Sequence, residues 1–251
     1  MNTQTSAAAQ KVPEVDLHFW VVKIAATTLG ETGGDALSMS ADLGYLAASG
    51  IFAAAFALTV GLQIRARRFN PALYWTAIIA TTTLGTTLAD FADRSLGVGY
   101  AGGVAVVSGL LLASLGIWYR ALGTVAVASV VSTRAEIHYW VTIMFSQTLG
   151  TALGDWAADS AGLGYGGAAA VFGAILVLIA GAYYLTRFPR PLLFWAAFVT
   201  TRPLGAVVGD FLDKPLDAGG LALSRYSASA VLLLFIVACL ALRRRNGATI
   251  A

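Results

Sequence analysis

Four stretches of this 251-residue chain share one frame. They read HFWVVKIAATTLGETGGD, LYWTAIIATTTLGTTLAD, HYWVTIMFSQTLGTALGD and LFWAAFVTTRPLGAVVGD. In each, a tryptophan (Trp20, Trp75, Trp140, Trp195) is followed at offsets nine and ten by Leu-Gly and at offset fifteen by aspartate. The glycines are Gly30, Gly85, Gly150 and Gly205; the aspartates are Asp35, Asp90, Asp155 and Asp210. Ten residues after the first three aspartates comes a Gly-Tyr pair, at Tyr45, Tyr100 and Tyr165; Tyr226 takes that place in the fourth copy after a six-residue insertion. A register kept four times requires four copies of one structural unit.

The solvent of those units follows from composition. The chain is 58% hydrophobic and 12% charged, against ~25% charged residues in soluble domains, which excludes a water-soluble globule. Apolar runs predict eight spans, at 17–38, 45–64, 72–92, 100–119, 137–158, 165–186, 192–212 and 226–242. They leave no room for a separate soluble domain. The expected fold is an all-α polytopic membrane protein, a single membrane domain over 1–251. Its four parallel two-helix repeats (17–66, 72–120, 137–187, 192–243, with a linker at 121–136) form two pseudo-symmetric halves. Tryptophan spacings of 55, 65 and 55, and His18 and His138 in copies one and three only, motivate the halves. Parallel repeats imply an axis along the membrane normal.

Loop charge alternates. Lys11, Arg65, Arg67, Arg68, Arg120, Arg134, Arg187, Arg190 and Arg243–Arg245 fall on one side. Arg94, Lys214 and Arg225 share the other with Asp42, Asp93, Asp159, Asp213 and Asp217. The positive-inside rule places both termini in the cytoplasm of a bacterial inner membrane, with the first span acting as an uncleaved signal. The net charge of +3 therefore reports orientation and not a nucleic-acid surface. The lone Cys239 excludes disulfides and thiolate clusters.

Four copies of a two-span unit with Trp before T-L-G-x-x-x-[GA]-D resemble a bacterial family of tandem-repeat integral membrane proteins of unassigned function. The resemblance covers residues 17 to 242 and implies the architecture alone. Copy four departs from the pattern at Arg202-Pro203, which breaks strict equivalence of the repeats.

On a helical wheel, offsets seven, ten, eleven, fourteen and fifteen share one broad face, and the repeated Leu29, Leu84, Leu149 and Leu204 face away. Gly30 and Gly34, Gly150 and Gly154, and Gly205 and Gly209 form G-x-x-x-G pairs, with Gly85 and Ala89 as the fourth version. Such pairs bring backbones together, so the aspartate face is expected to pack on protein.

Charges inside a span cost ~2.5–3.5 kcal/mol each on insertion scales, and this chain carries Lys23, Glu31 and Arg202 besides the aspartates. Two readings of the aspartates stay open: caps on helix ends, or a ring of carboxylates around a central cavity. Lys23, Thr27, Glu31 and Asp35 step by four along one ridge. Pairing of Glu31 with Lys23 or Arg202 would be structural; alternatively Glu31 and Asp35 are ligands or proton carriers, with Lys23 or Arg202 as displaceable counter-charge. Thr28, Thr83 and Thr148 offer hydroxyls as hard-oxygen ligands or helix-to-helix bonds. The tryptophans are expected in an interfacial belt, an aromatic cation cage being the alternative. His18 and His138 are ordinary interface residues or the axial ligands of a haem.

No phosphate loop, zinc-protease motif or nucleophile elbow occurs, so no enzyme is expected. Carboxylate and hydroxyl oxygens suit protons and hard cations. The expected function is a secondary transporter or exporter of a small cation, with a divalent metal and proton coupling as its candidate forms. Asp35, Asp90, Asp155, Asp210 and Glu31 would be the cation ligands. A passive cation channel is one rival; a non-transporting haem-binding or structural membrane protein is the other. No resident cofactor is expected, and the partners are membrane lipid and the cation.

Overall fold

The computed structural model describes residues 11–66 and 69–248. They form eight long helices, with no strand among the described residues: α1 (Leu17–Asp35), α2 (Gly44–Arg65), α3 (Pro71–Asp90), α4 (Gly99–Leu122), α5 (Thr133–Asp155), α6 (Gly164–Leu185), α7 (Arg190–Asp213) and α8 (Arg225–Ala248). Arg67 and Arg68 lie outside the described residues, as does the Arg245 side chain.

Local sequence sets the boundaries. Asp16 accepts a hydrogen bond from the Phe19 amide at 2.8 Å and caps α1. Asn70 caps α3 just ahead of Pro71, and Ser132 caps α5, satisfying amides that have no partner within the helix. With Ser132 as cap, α5 starts at Thr133 and α4 runs on through Leu122. The segment between them is thus shorter than the linker expected at 121–136. Glu136, expected in that linker, is buried in the first turn of α5 with Lys11 at 2.8 Å.

At the far end of α1, α3 and α5 the last α-helical residue is the repeated aspartate. A five-residue π-helical segment follows each, at Ala36–Ser40, Phe91–Ser95 and Trp156–Ser160. The chain then reverses through Gly44, Gly99 and Gly164, at φ of 73°, 71° and 63°. That backbone is strained for any residue with a Cβ, which accounts for the repeated Gly-Tyr. The fourth repeat, carrying the insertion, has no such segment: α7 continues to Asp213 and a short 3-10 turn, Leu216–Ala218, leads to α8.

The first helices of the repeats close into a ring, α1 on α3, α3 on α5, α5 on α7 and α7 on α1. Each second helix lies chiefly against the first helix of the following repeat: α2 on α3, α4 on α5, α6 on α7, with α8 returning to α1. Glycines allow the close approach. A Cβ on Gly30 would meet Thr82, on Gly85 Gln147, on Gly150 Arg202 and on Gly205 Thr27. Every offset-ten glycine is thus the hole for the offset-seven residue of the next ring helix. One turn on, Gly34, Gly154 and Gly209 receive Thr86, Ala206 and Glu31.

Five helices, α2, α4, α6, α7 and α8, are long and apolar enough to cross a membrane. The chain is a multi-pass membrane protein. In the four outer helices only 11–22% of the apolar window is buried, against 61% in α7, so the outer ring meets lipid and encloses the inner one. Enclosure is what lets α1, α3 and α5 carry polar residues. Leu29, Leu84 and Leu149, although turned from the axis, are buried beneath that outer layer.

Three of the four repeated tryptophans lie inside the molecule and not in an interfacial belt, while Trp20 is half-buried. Trp75, Trp140 and Trp195 are buried; they interlock edge-on with Tyr74, Trp118, Tyr139 and Phe198, while Phe19 meets Trp75 with its ring tilted. A 2.6 Å bond between the Tyr74 and Tyr139 hydroxyls crosses this layer. The edge-to-face geometry fills the ring's end with aromatic packing, so these side chains serve neither as a lipid-facing belt nor as an open cage.

Candidate functional site

A buried polar column runs from the aromatic layer to the aspartates. Successive offsets of about one turn stack on the face that each ring helix turns inward. Offset seven contributes Thr27, Thr82, Gln147 and Arg202, all with 0% exposure. Offset eleven contributes Glu31, Thr86, Thr151 and Ala206, and offset fifteen the four aspartates; all eight are buried.

Arg202 crosses this column. Its Nη2 donates to Glu31 Oε2 at 2.9 Å, to Thr86 Oγ1 at 2.6 Å and to Thr151 Oγ1, joining four helices through one guanidinium. Of the two partners proposed for Glu31 from sequence, Arg202 is the one it meets. Lys23, fully buried, instead lies 3.4 Å from Thr201 Oγ1 and 4.1 Å from the Phe198 ring centroid. No carboxylate is within ion-pair distance of Lys23 among the described residues. Pro203 continues α7 without ending it, although its missing N–H removes one rung of the helix ladder.

The aspartates do not form an open ring. They are gathered two by two, each pair bridged by a cation. Arg94 lies 2.9 Å from Asp90 and 3.5 Å from Asp155. Lys214 lies 2.9 Å from both Asp35 and Asp210. Arg225 adds contacts of 3.6 Å to Asp35 and 2.9 Å to Asp213. These carboxylates hold Lys214 protonated well above the ordinary lysine range, against the effect of its own burial. Beside Arg94, Asp93 has neither carboxylate oxygen hydrogen-bonded among the described residues. Burial pushes it up to about 6, with Arg94 pulling the other way.

The five carboxylates expected to share one cation therefore divide into three groups: Glu31 with Arg202, Asp90 with Asp155, and Asp35 with Asp210. The third group includes Asp213, and its three carboxylates each bring an oxygen within 4.8 Å of the others. Thr28, Thr83 and Thr148 do not join the column. Each hydroxyl donates to the carbonyl four residues back, at 3.1, 2.8 and 3.1 Å. His18 and His138 have different surroundings: His18 lines a cavity of about 750 Å³ near Trp75 and Arg243, while His138 stacks on Trp118 at 6.5 Å.

Sequence reasoning set Arg94, Lys214, Arg225 and Asp213 aside as loop charge. One signal was present: Arg94 and Lys214 each follow a repeated aspartate by four residues, the spacing at which helical side chains meet. Nothing in the pattern indicated that each would also reach the aspartate of the next repeat.

The fourfold frame has a counterpart among protein families. A family model described as Repeat of Unknown Function matches four segments in tandem, residues 18–69, 73–124, 138–188 and 193–249. The chain belongs to the DUF347 repeat family. No curated protein and no solved structure matches it. Each DUF347 segment comprises one ring helix and one outer helix, yet the outer helix covers the ring helix of the next segment. The unit written in the sequence and the unit packed in space are therefore offset by one helix.

Proposed function

We propose that this DUF347 protein is a carrier for a small cation, driven by exchange of charge at the paired aspartates. It crosses a bacterial inner membrane eight times, with both termini cytoplasmic. The observation that carries this reading is the two aspartate–cation–aspartate bridges at one end of a closed polar column. Arg94 and Lys214 are internal counter-charges: a proton or metal ion entering a pair displaces the bridging side chain, and its departure restores the bridge. Carboxylates with partners that can be exchanged are what ion-coupled carriers use. Lys23 and Arg202, the counter-charges expected from sequence, lie deeper along the same column.

Support for eight spans comes from lengths. The ring helices have 19, 20, 23 and 24 residues, about 29–36 Å at 1.5 Å per residue, which matches the ~30 Å hydrocarbon core. The bridging pattern supports two pseudo-symmetric halves, since it joins repeat two to three and repeat four to one. Arginine-rich loops at the tryptophan end support its cytoplasmic placement. A carrier is favoured over a passive channel because the aromatic layer and the wholly buried Arg202 both close the axis.

The same ion pairs favour one other reading, in which the carboxylates only hold helix ends. A thermal-stability screen of purified protein with mono- and divalent cations separates the two, Asp35→Asn being the control. Carriage predicts a specific cation that raises the melting point of wild type and not of Asp35→Asn. It also predicts that the cation, or protons, accumulates in proteoliposomes, and that Asp90→Asn abolishes this while remaining folded. Aspartate variants that unfold, with no cation response and no proton uptake by wild type, would establish the structural role.

A further inference from the structure

The residue three places after each repeated aspartate differs among the four copies: Ser38, Asp93, Ala158 and Asp213. Three of these have partners that suit them. Ser38 donates to the Gly34 carbonyl at 2.8 Å, Ala158 packs with Ala168 in an apolar cluster, and Asp213 takes Arg225 at 2.9 Å. Asp93 is only 7% exposed, and neither of its carboxylate oxygens has a hydrogen-bond partner among the described residues. A buried carboxylate without partners is rare and requires an explanation.

The fold makes a niche for this side chain. Four residues after Gly44, Gly99 and Gly164, the second helices carry Ala48, Gly103 and Ala168, all three buried. A Cβ on Gly103 would collide with both oxygens of Asp93. The carboxyl group thus occupies space that repeats one and three give to a methyl group. The π-helical segment carrying Asp93 packs chiefly on α2, α3 and α4. From α2, Tyr45 faces Asp90 and Arg94; from α4, the Tyr100 ring centroid lies 5.9 Å from Arg94; from α3, Asp90 bonds Arg94 at 2.9 Å. Arg94, next to Asp93 in the chain, is the charge that acts on it, and that guanidinium is already engaged by Asp90 and Asp155.

A proton is the occupant this niche can take. It neutralises the carboxylate and so removes the cost of a buried charge. A metal ion needs several oxygen ligands, and among the described residues only Asp35, Asp210 and Asp213 bring three acidic side chains together for one. We infer that Asp93 is a proton-binding site that controls the Asp90–Arg94–Asp155 bridge. With its proton on, Asp93 is neutral and leaves Arg94 to the two aspartates. After the proton passes to water at this end of the ring, the Asp93 carboxylate competes with them for the guanidinium. Its part as the coupling proton's site rests on the carrier reading, whereas the proton site and its link to Arg94 do not.

The test uses purified full-length protein in detergent, followed by infrared difference spectroscopy between pH 4 and 8, where the C=O stretch reports a protonated carboxyl. Wild type should show a carboxyl that loses its proton near pH 6, and Asp93→Asn should lack it. Asp93→Ala, which restores the residue of repeat three, serves if the Asn variant does not fold. Arg94→Met should move the midpoint of that band up by ~1 pH unit or more, as expected for removing a nearby opposite charge. A spectrum in which neither Asp93 variant removes a protonated carboxyl above pH 5 would overturn the inference in favour of an ionised, hydrated side chain. A midpoint unmoved in Arg94→Met would overturn control of the bridge. Failure of the carrier reading is seen elsewhere, in the cation response at Asp35 and in proteoliposome uptake, and neither enters the infrared result.

Discussion

Lys214→Met removes the ammonium and keeps most of the aliphatic stem, so its effect isolates one charge. In the wild type, that ammonium is 2.9 Å from both Asp35 and Asp210, whose side chains are only 2% and 4% exposed. Breaking a buried ion pair from one side costs ~3–5 kcal/mol, because the remaining charge stays desolvated. Two features place this case at the lower end, about 3 kcal/mol. Lys214 itself retains 13% exposure, and Arg225 still faces Asp35 at 3.6 Å. At ~2–4 °C per kcal/mol for a chain near this size, the melting point should fall by about 6–12 °C in a fluorescence-detected thermal unfolding assay. The double variant Lys214→Met/Asp210→Asn should recover a large part of that loss, since it removes the stranded carboxylate as well. The pH dependence has a definite sign. A lysine whose native pKa is raised contributes stability that is fully present below its ordinary 10.5 and is lost only above it. The lysine's contribution to the deficit should therefore be flat from neutral pH to pH 9. A deficit no larger than that of Arg244→Met at the opposite end, or a double variant worse than the single, would refute the bridge.

Gly85→Ala should lower stability by about 1–2 kcal/mol net. The new Cβ would lie 2.8–2.9 Å from backbone atoms of Gln147 and Thr148, an overpacking cost of ~1–3 kcal/mol only partly offset by alanine's better helix propensity. Gly173→Ala, with nothing within 4 Å, should be neutral or stabilising, and equal melting points for the two would disprove the interlock. Arg202→Met should cost ~3–5 kcal/mol by stranding Glu31, and adding Glu31→Gln should recover part of it; a purely additive cycle in chemical unfolding would contradict their pairing. Asp93 holds its proton more tightly in the native state, at about 6 against an ordinary 3.8, so it destabilises as pH rises between those values and by a constant amount above. Asp93→Asn should remove that decline from a melting-point profile taken between pH 4 and 8; an unchanged profile would exclude Asp93 as its source.

The repeat frame made the helix order and the inward face legible, because hydrophobic periodicity and the G-x-x-x-G spacing act within one helix or one pair of helices. Thr27, Glu31 and Asp35 are in the column that their four-residue spacing indicated, and Gly30 and Gly205 are the close contacts that they were expected to be. Features depending on the neighbour across the ring were not legible. Trp75 and Trp195 carry no sign that distinguishes an interfacial belt from an aromatic plug, since both place an indole at a helix start. Thr148 and Thr151 look alike in sequence, yet one bonds its own helix and the other Arg202. A difference of three residues turns a hydroxyl through about 300° around the helix axis, and only the position of the adjacent helix gives that angle meaning. The π-helical segments after Asp35, Asp90 and Asp155 were equally hidden, because the i+5 bond leaves no compositional mark.

The offset between covalent and spatial repeats explains why repeat four can differ without breaking the ring. In a chain of units that each cover the next, the last outer helix has no following repeat and must return to the first. That is what α8 does, with Ser229 bonded to Thr32 of α1 at 2.8 Å. The return path between α7 and α8 is the one that carries the six-residue insertion and lacks the π-helical turn, and it also supplies Lys214, while α8 opens with Arg225. The closure of the ring and the bridge between Asp210 and Asp35 are therefore made by the same segment. Arg202 has a matching origin: it fills the Gly150 hole, where the corresponding residues at the other three junctions are Thr27, Thr82 and Gln147. Only a long side chain in that position can reach past Thr151 to Glu31 in repeat one. The departures of the fourth repeat thus lie at both of its junctions: Arg202 fills the hole offered by repeat three and reaches on to Glu31 of repeat one, while Lys214 and Arg225 add charge where the ring closes on the first repeat.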